Sequence, residues 1–199
     1  MSLPRVVSRD EWLVARKELL AREKELTRAK DAVNTQRRNL PMVKIQKEYV
    51  FDGPEGNVGL VDLFGGCRQL VLQHFMFDPT WEDGCGSCTA AVDEISDGLL
   101  RHLRARETNY AIVARAPLAK IEKYRAKRGW TIPIYSSYGS DFNDDFRVPP
   151  HQPGVNCFLM DGLDIFHTYS TFGRGTEQAA GVNGILDLTA LGRQEAWEE

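Results

Sequence analysis

Apolar positions in the first 40 residues recur by sevens: Trp12, Leu19, Leu26, Val33 and Leu40, with Leu13 and Leu20 beside the first two. This spacing predicts one apolar stripe on a helix of about 25 to 30 residues. Ser8 followed by Glu11 fits a capping box at its start, and Pro41 stops it. Three positions beyond the first four stripe residues stand Ala15, Arg22, Ala29 and Gln36, a poor second half for a coiled-coil seam. The stripe is therefore expected to pack on the body of the protein or on a second copy of the chain. Beyond Pro41 the pattern changes to a strand period. Lys47 to Phe51 leads into the turn Asp52-Gly53-Pro54-Glu55-Gly56-Asn57 and then Val58 to Leu60, with one helical turn expected over Leu60 to Phe64. Leu70 to Phe77 is a nearly continuous apolar run, the mark of a central strand buried on both faces. After the loop Asp78 to Gly84, a helical pattern opens at Cys85 and runs to Arg106. Asn109 to Ala114 reads as a strand. Pro117 suits a helix N1 position, with Leu118, Ile121 and Tyr124 at helical spacing before Gly129. Strands are expected at Ile132 to Ser136, Asn156 to Met160 and Asp164 to Tyr169, the last two joined by an Asp161-Gly162 turn, while Glu177 to Leu191 carries no clear period. Strand, helix, strand, helix and a closing hairpin predict an α/β domain, a mixed sheet flanked by helices, over residues 43–199, preceded by a helical extension over 1–42.

Length and composition fit one substantial soluble domain with an appendage: 199 residues, 42% hydrophobic and 27% charged. No apolar run approaches the roughly 20 residues needed to cross a bilayer. Met1 to Asp10 contains no signal-peptide core, so the expected location is cytoplasmic, without a membrane partner. Residues 1–48 hold 12 of the 25 Lys and Arg and 7 of the 28 Asp and Glu, a net of +5, against −8 for the rest. The basic arm interleaves its charges by sign and has almost no aromatics to stack on bases, which argues against nucleic acid as a partner.

Candidate chemistry centres on Cys85-Gly86-Ser87-Cys88, placed after a buried strand and a short loop, at the start of a helix. A helix N-terminus offers free N–H groups and a partial positive charge, which stabilise a thiolate. With two residues between them, the second thiol can resolve a mixed disulfide formed on the first. By position Cys85 is the attacker and Cys88 the resolver. Glu82 and Asp83 would oppose a lowered pKa if their side chains approached the sulfur. A four-cysteine zinc site needs a second pair of similar spacing, and Cys67 and Cys157 are isolated, so no metal or other cofactor is expected. Two small cysteines that merely pack a helix start remain the alternative.

The β-α-β unit from Leu70 to Ala114 resembles the active-site unit of thioredoxin-like proteins. More specifically, the chain resembles a bacterial thioredoxin-like family known only as a domain of unknown function. The residues that carry this include Trp12-Leu13, Tyr49 to Pro54, His74 to Phe77, Trp81-Glu82, Gly84 to Cys88, Arg115 to Pro117, Ser136 to Asn143, His167 to Thr171 and Leu186 to Thr189. The resemblance implies a thioredoxin-like fold and a redox dithiol, with no settled substrate. Several positions depart from better-known relatives. Gly84 replaces the tryptophan that often precedes the first cysteine, with Trp81 four residues before Cys85, and Ser87 stands where thioredoxins carry proline. Val155 occupies the position of the expected cis-proline, with Pro153 two residues earlier. Peroxiredoxins need a threonine or serine three residues before the reactive cysteine and a proline seven before, where this chain has Glu82 and Asp78.

Supporting roles are expected for Trp81, Gly84, Gly86 and Ser87, and for His74, either as a proton acceptor near Cys85 or as a hydrogen-bonded core histidine. Asp141-Phe-Asn-Asp-Asp145 imitates half of a calcium loop but lacks the glycine and the bidentate glutamate. With Tyr135 and Tyr138, Asp141 is instead a candidate rim for a polar substrate. The sequence thus points to a thiol–disulfide oxidoreductase running as a reductase. Its partners would be a disulfide or small-molecule substrate, a thioredoxin-type electron donor and a second copy of the chain. The competing reading is a thioredoxin-like module that binds a small molecule or protein without catalysis.

Overall fold

The computed structural model of the chain describes residues 3–195. They form two compact units, one from residues up to Pro41 together with those from Asn183 onward, the other Met42–Val182. The pattern alone assigns the residues after Asn183 to the sheet domain; here they group with the N-terminal helix.

The first unit is built on helix α1 (Arg9–Arg38). Its start is the capping box that the sequence predicts: the Glu11 N–H donates to Ser8 Oγ at 3.3 Å, and the Ser8 N–H donates to Glu11 Oε2 at 2.9 Å. None of its residues is buried, and the stripe from Trp12 to Val33 is solvent-exposed.

The second unit holds the sheet. Its strands are β1 (Val43–Lys44), β2 (Val50–Gly53), β3 (Gly56–Gly59), β4 (Gln69–Phe75), β5 (Thr108–Ala114), β6 (Ile134–Ser136), β7 (Gly154–Asp161) and β8 (Asp164–Phe172). Its helices are α2 (Gly86–Asp93), α3 (Asp97–Arg104), α4 (Leu118–Arg128) and α5 (Phe142–Asp145), with a 3-10 turn at Asp62–Phe64; α6 (Gly181–Leu186) begins at its last residues and continues into the first unit. The strands run in the order β1-β8-β7-β4-β5-β6-β2-β3, with β4, β5 and β6 parallel and β7 and β8 antiparallel to their neighbours. This is the mixed, helix-flanked sheet that the sequence predicts.

Because side chains alternate across a strand, the sheet separates two cores. On one face Leu70, Leu72, Ala111 and Val113 pack with Phe51, Phe64, Phe142 and Phe158. On the other, Phe75, Ile112, Ala114 and Ile134 pack with Phe77, Cys88, Val92, Ile121 and Tyr124. That second face carries the cysteine pair. The single helix expected from Cys85 to Arg106 is in fact two. It breaks at Glu94–Ser96, where the Ser96 hydroxyl accepts the Leu99 N–H at 3.2 Å and starts α3 afresh. Pro117 is the residue before α4 rather than its first, and Gly129 closes that helix in the left-handed region at φ 71°. The short edge strand β1, paired with β8, lies outside the sequence expectation. No helix among the described residues is long and apolar enough to cross a membrane.

Candidate active site

The chain leaves β4 at Phe75 and turns through Asp78–Gly84 before entering α2. Asp78 accepts both the backbone N–H and the hydroxyl of Thr80, at 2.8 and 2.6 Å, an Asx turn that fixes the start of the loop. From α4, Lys120 Nζ donates to the Pro79 carbonyl at 2.8 Å, and Lys127 Nζ holds both oxygens of Asp83 at 3.0 and 2.8 Å. The Cys85 N–H returns to the Met76 carbonyl at 2.9 Å. Cys85 is the N-cap residue of α2, partly exposed, and Cys88 lies one turn inside the helix, 2% exposed.

The two thiols differ sharply in acidity. Burial pushes the Cys85 pKa up, but hydrogen bonds from the Ser87 hydroxyl, the backbone N–H groups of Cys88 and Ser87 and the Cys88 thiol together outweigh it, so the net shift is downward. The Ser87 Oγ lies 3.1 Å from the Cys85 Sγ. Burial raises the Cys88 thiol to about 12, helped by the adjacent Cys85. The lowered thiol is the accessible one, the order needed for attack by Cys85. Asp83, anticipated as an opponent of the thiolate, is engaged by Lys127.

Gly84 is required by space. A Cβ at this position would fall on the edge of the Phe75 ring and 3.2 Å from Tyr124 Cε1. No tryptophan fits there; Trp81 instead packs at the edge of the aromatic core beneath the thiols, its ring stacked with His151 at 6.3 Å between centroids. Gly84→Ala is expected to cost about 1–3 kcal/mol through overpacking, read as a lower midpoint in urea denaturation.

Of the two roles open to His74, the structure favours the core histidine. His74 shares its strand face with Leu70 and Leu72, opposite the face that carries Phe75 and the thiols, so it does not serve Cys85 as a proton acceptor. It is a core histidine, 5% exposed, whose Nε2 accepts the Asn156 Nδ2–H at 2.9 Å. Burial, reinforced by the Arg115 charge, pushes its pKa down to about 3. The expected rim needs correction, because its residues divide. Tyr135 faces the same core as Leu70, over Gly53, and Asp141 is bonded to Lys47 at 2.7 Å, so neither joins the thiols, while Tyr138 is exposed in the loop after β6. Groups that sequence reading missed stand closer to the thiols. Thr89 Oγ1 donates to the Cys85 carbonyl at 2.8 Å and lies 2.9 Å from the Tyr124 hydroxyl. Tyr124 and Lys127, a turn apart on α4, carried no local signal for this role.

With this geometry in hand, known proteins place the chain. A candidate thiol:disulfide interchange protein DsbE from Chlorobium tepidum superposes with a TM-score of 0.51 at 16% identity, covering 77% of this chain and 99% of its own. Peroxiredoxin Q of Xanthomonas campestris, in a cysteine-to-serine mutant form, follows at 0.49 and 16%, covering 69% and 89%. A candidate protein disulfide isomerase from Bacteroides thetaiotaomicron reaches 0.42 at 21%, covering 66% and 81%. At these identities the DsbE likeness shows the fold alone, which is thioredoxin-like, and the two weaker ones carry no argument. No curated protein matches the chain. A family model does match it, over residues 1–199, and the chain belongs to that family: the bacterial proteins of unknown function DUF899.

Proposed function

We propose that the chain is a thiol–disulfide oxidoreductase running in the reductase direction, with Cys85 attacking and Cys88 resolving. The observation that carries this reading is the split in acidity: a lowered, accessible Cys85 at a helix N-terminus beside a buried Cys88 raised to about 12. The Cys85 thiolate attacks one sulfur of a substrate disulfide, the substrate S–S bond breaks, and the departing sulfur takes up a proton. Cys88, once deprotonated, attacks Cys85 Sγ, forms the Cys85–Cys88 disulfide and releases the second substrate thiol. The substrate gains two electrons and the dithiol loses them; a thioredoxin-type dithiol donor in a reducing cytoplasm restores the pair. Formation of the mixed disulfide removes the Cys85 charge, one of the causes that hold Cys88 up. Burial remains, so resolution is expected to be the slower step and to accelerate with pH after attack has levelled off.

The test is iodoacetamide labelling of the native, reduced protein from about pH 5 to 10. Cys85 should react first, with a midpoint below the ordinary thiol value, and Cys88 should stay unlabelled. Ser87→Ala removes a hydroxyl that stabilises the thiolate and should slow Cys85 labelling at pH 7 several-fold, moving its midpoint upward. Equal labelling of both thiols, or none in the folded state, would contradict the reading. A non-catalytic binding module predicts instead that a Cys85→Ser/Cys88→Ser variant keeps its cellular role.

A further inference from the structure

A cavity lies away from the thiols, at the β1–β8 edge of the sheet. It measures about 580 Å³ and is lined by residues of β1, β8 and the Asp145–Arg147 turn. Small-molecule sites commonly fall between roughly 300 and 1,000 Å³, with apolar walls and a few convergent polar groups. Here the walls are Ile45, Tyr49, Phe146 and Phe172. Its polar lining includes Gln46, Asp145, His167 and Ser170, and a bulge in the β7–β8 pairing sets the last two together. Without it, residues 167 and 170 would alternate to opposite faces; with it, Ser170 Oγ lies 2.8 Å from His167 Nε2. Ser170 donates onward to Asn156 Oδ1 at 2.5 Å, so its proton is committed to the interior. The floor is therefore polar but fixed, not a primed nucleophile.

Charge at the mouth is selective. Lys44 is paired with Asp164 at 2.6 Å, and Lys47 with Asp141 and Asp145 at 2.7 Å each. Arg147 is exposed and has no side-chain partner among the described residues. Its backbone sits at φ 51°, a left-handed conformation that costs a non-glycine residue about 1–3 kcal/mol and tends to persist at ligand clamps. One unpaired guanidinium in a cavity with aromatic walls fits a ligand with one carboxylate and one ring. Arginine engages a carboxylate through two parallel hydrogen bonds, and edge contacts with Phe146 and Phe172 favour an aromatic body.

We propose that this cavity binds a small aromatic carboxylate, with the carboxylate on Arg147 and the ring between Phe146 and Phe172. The site makes no use of the cysteines, so it stands or falls apart from the redox reading. The test is isothermal titration of the full chain with 3-phenylpropionate, its amide and inorganic phosphate, repeated on Arg147→Gln and Arg147→Lys. Saturable binding of the carboxylate is expected. It should weaken at least tenfold for the amide and at least tenfold in Arg147→Gln, recover in part in Arg147→Lys, and leave Cys85 labelling unchanged in all variants. Absence of saturable binding, equal affinity for acid and amide, equal affinity for inorganic phosphate and the aryl acid, or undiminished binding to Arg147→Gln would each overturn it.

Discussion

Cys85→Ser is expected to lose disulfide reduction by several orders of magnitude, while Cys88→Ser still attacks substrate and accumulates a stable mixed disulfide. The asymmetry follows from placement. Cys85 is partly exposed at the α2 N-terminus, where the Ser87 hydroxyl and two backbone N–H groups stabilise its charge. Serine at that position supplies no thiolate. Cys88, buried in one cluster with Phe75, Phe77 and Val92, is expected to act only on Cys85. The measurement is reduction of a model disulfide followed by thiol release, with mass analysis of the Cys88→Ser protein after one substrate equivalent. Full activity in Cys85→Ser, or a mixed disulfide on Cys88 rather than Cys85, would contradict the assignment.

The second large effect concerns stability. His74→Ala is expected to destabilise the protein by about 3 kcal/mol or more, since it opens a cavity and leaves buried amide groups unbonded. Ser170 Oγ donates to Asn156 Oδ1 at 2.5 Å and Asn156 Nδ2 donates to His74 Nε2 at 2.9 Å, so His74, kept neutral by burial, carries its proton on Nδ1. Asn143 Nδ2 donates in turn to Ser137 Oγ at 2.6 Å. The sign of the pH effect is fixed by a folded-state pKa of about 3, below the ordinary histidine value of 6.5. Between those two values the unfolded chain binds a proton that the folded chain refuses. The stability associated with His74 is thus complete above about pH 6.5 and falls progressively towards pH 3. His167, also lowered by burial, adds to the same slope. His74→Gln can keep one donor and one acceptor while removing the titration. Urea denaturation at about pH 7.5 and 4.5 should show a smaller loss on acidification in His74→Gln than in the wild type. An equal loss in both would contradict this assignment.

The sheet was legible in the sequence where burial is two-sided. Leu70 to Phe77 announces a central strand because both faces of β4 are covered, and the cysteine motif follows it at a helix start. The orientation of His74 was legible too, by its even spacing from Leu70 and Leu72, although proximity in sequence to Cys85 suggested otherwise. Ser96-Asp97-Gly98 carried a capping signal that a continuous apolar pattern across Ile95 and Leu99 concealed. Other features had no local signature. The Lys127–Asp83 pair and the Thr89–Tyr124 bond join residues 44 and 35 positions apart, and depend on α4 folding back beside the dithiol loop. The β7–β8 bulge changes which side chains share a face, and a strict alternation of period two cannot foresee it. Long-range placement likewise decided the rim: Asp141 and Tyr135 looked like neighbours of the thiols, although Asp141 bonds Lys47 and Tyr135 faces the opposite core.

The dithiol assignment is tested most directly by equilibrating the full chain in redox buffers of graded potential, trapping free thiols with an alkylating agent and weighing the protein. One reversible two-electron transition is expected, confined to the peptide that contains Cys85 and Cys88, with a midpoint near thioredoxin's, about −270 mV. Failure to form a Cys85–Cys88 disulfide at any potential would rule out the dithiol as the working group, and a midpoint above about −150 mV would rule out the reductase direction.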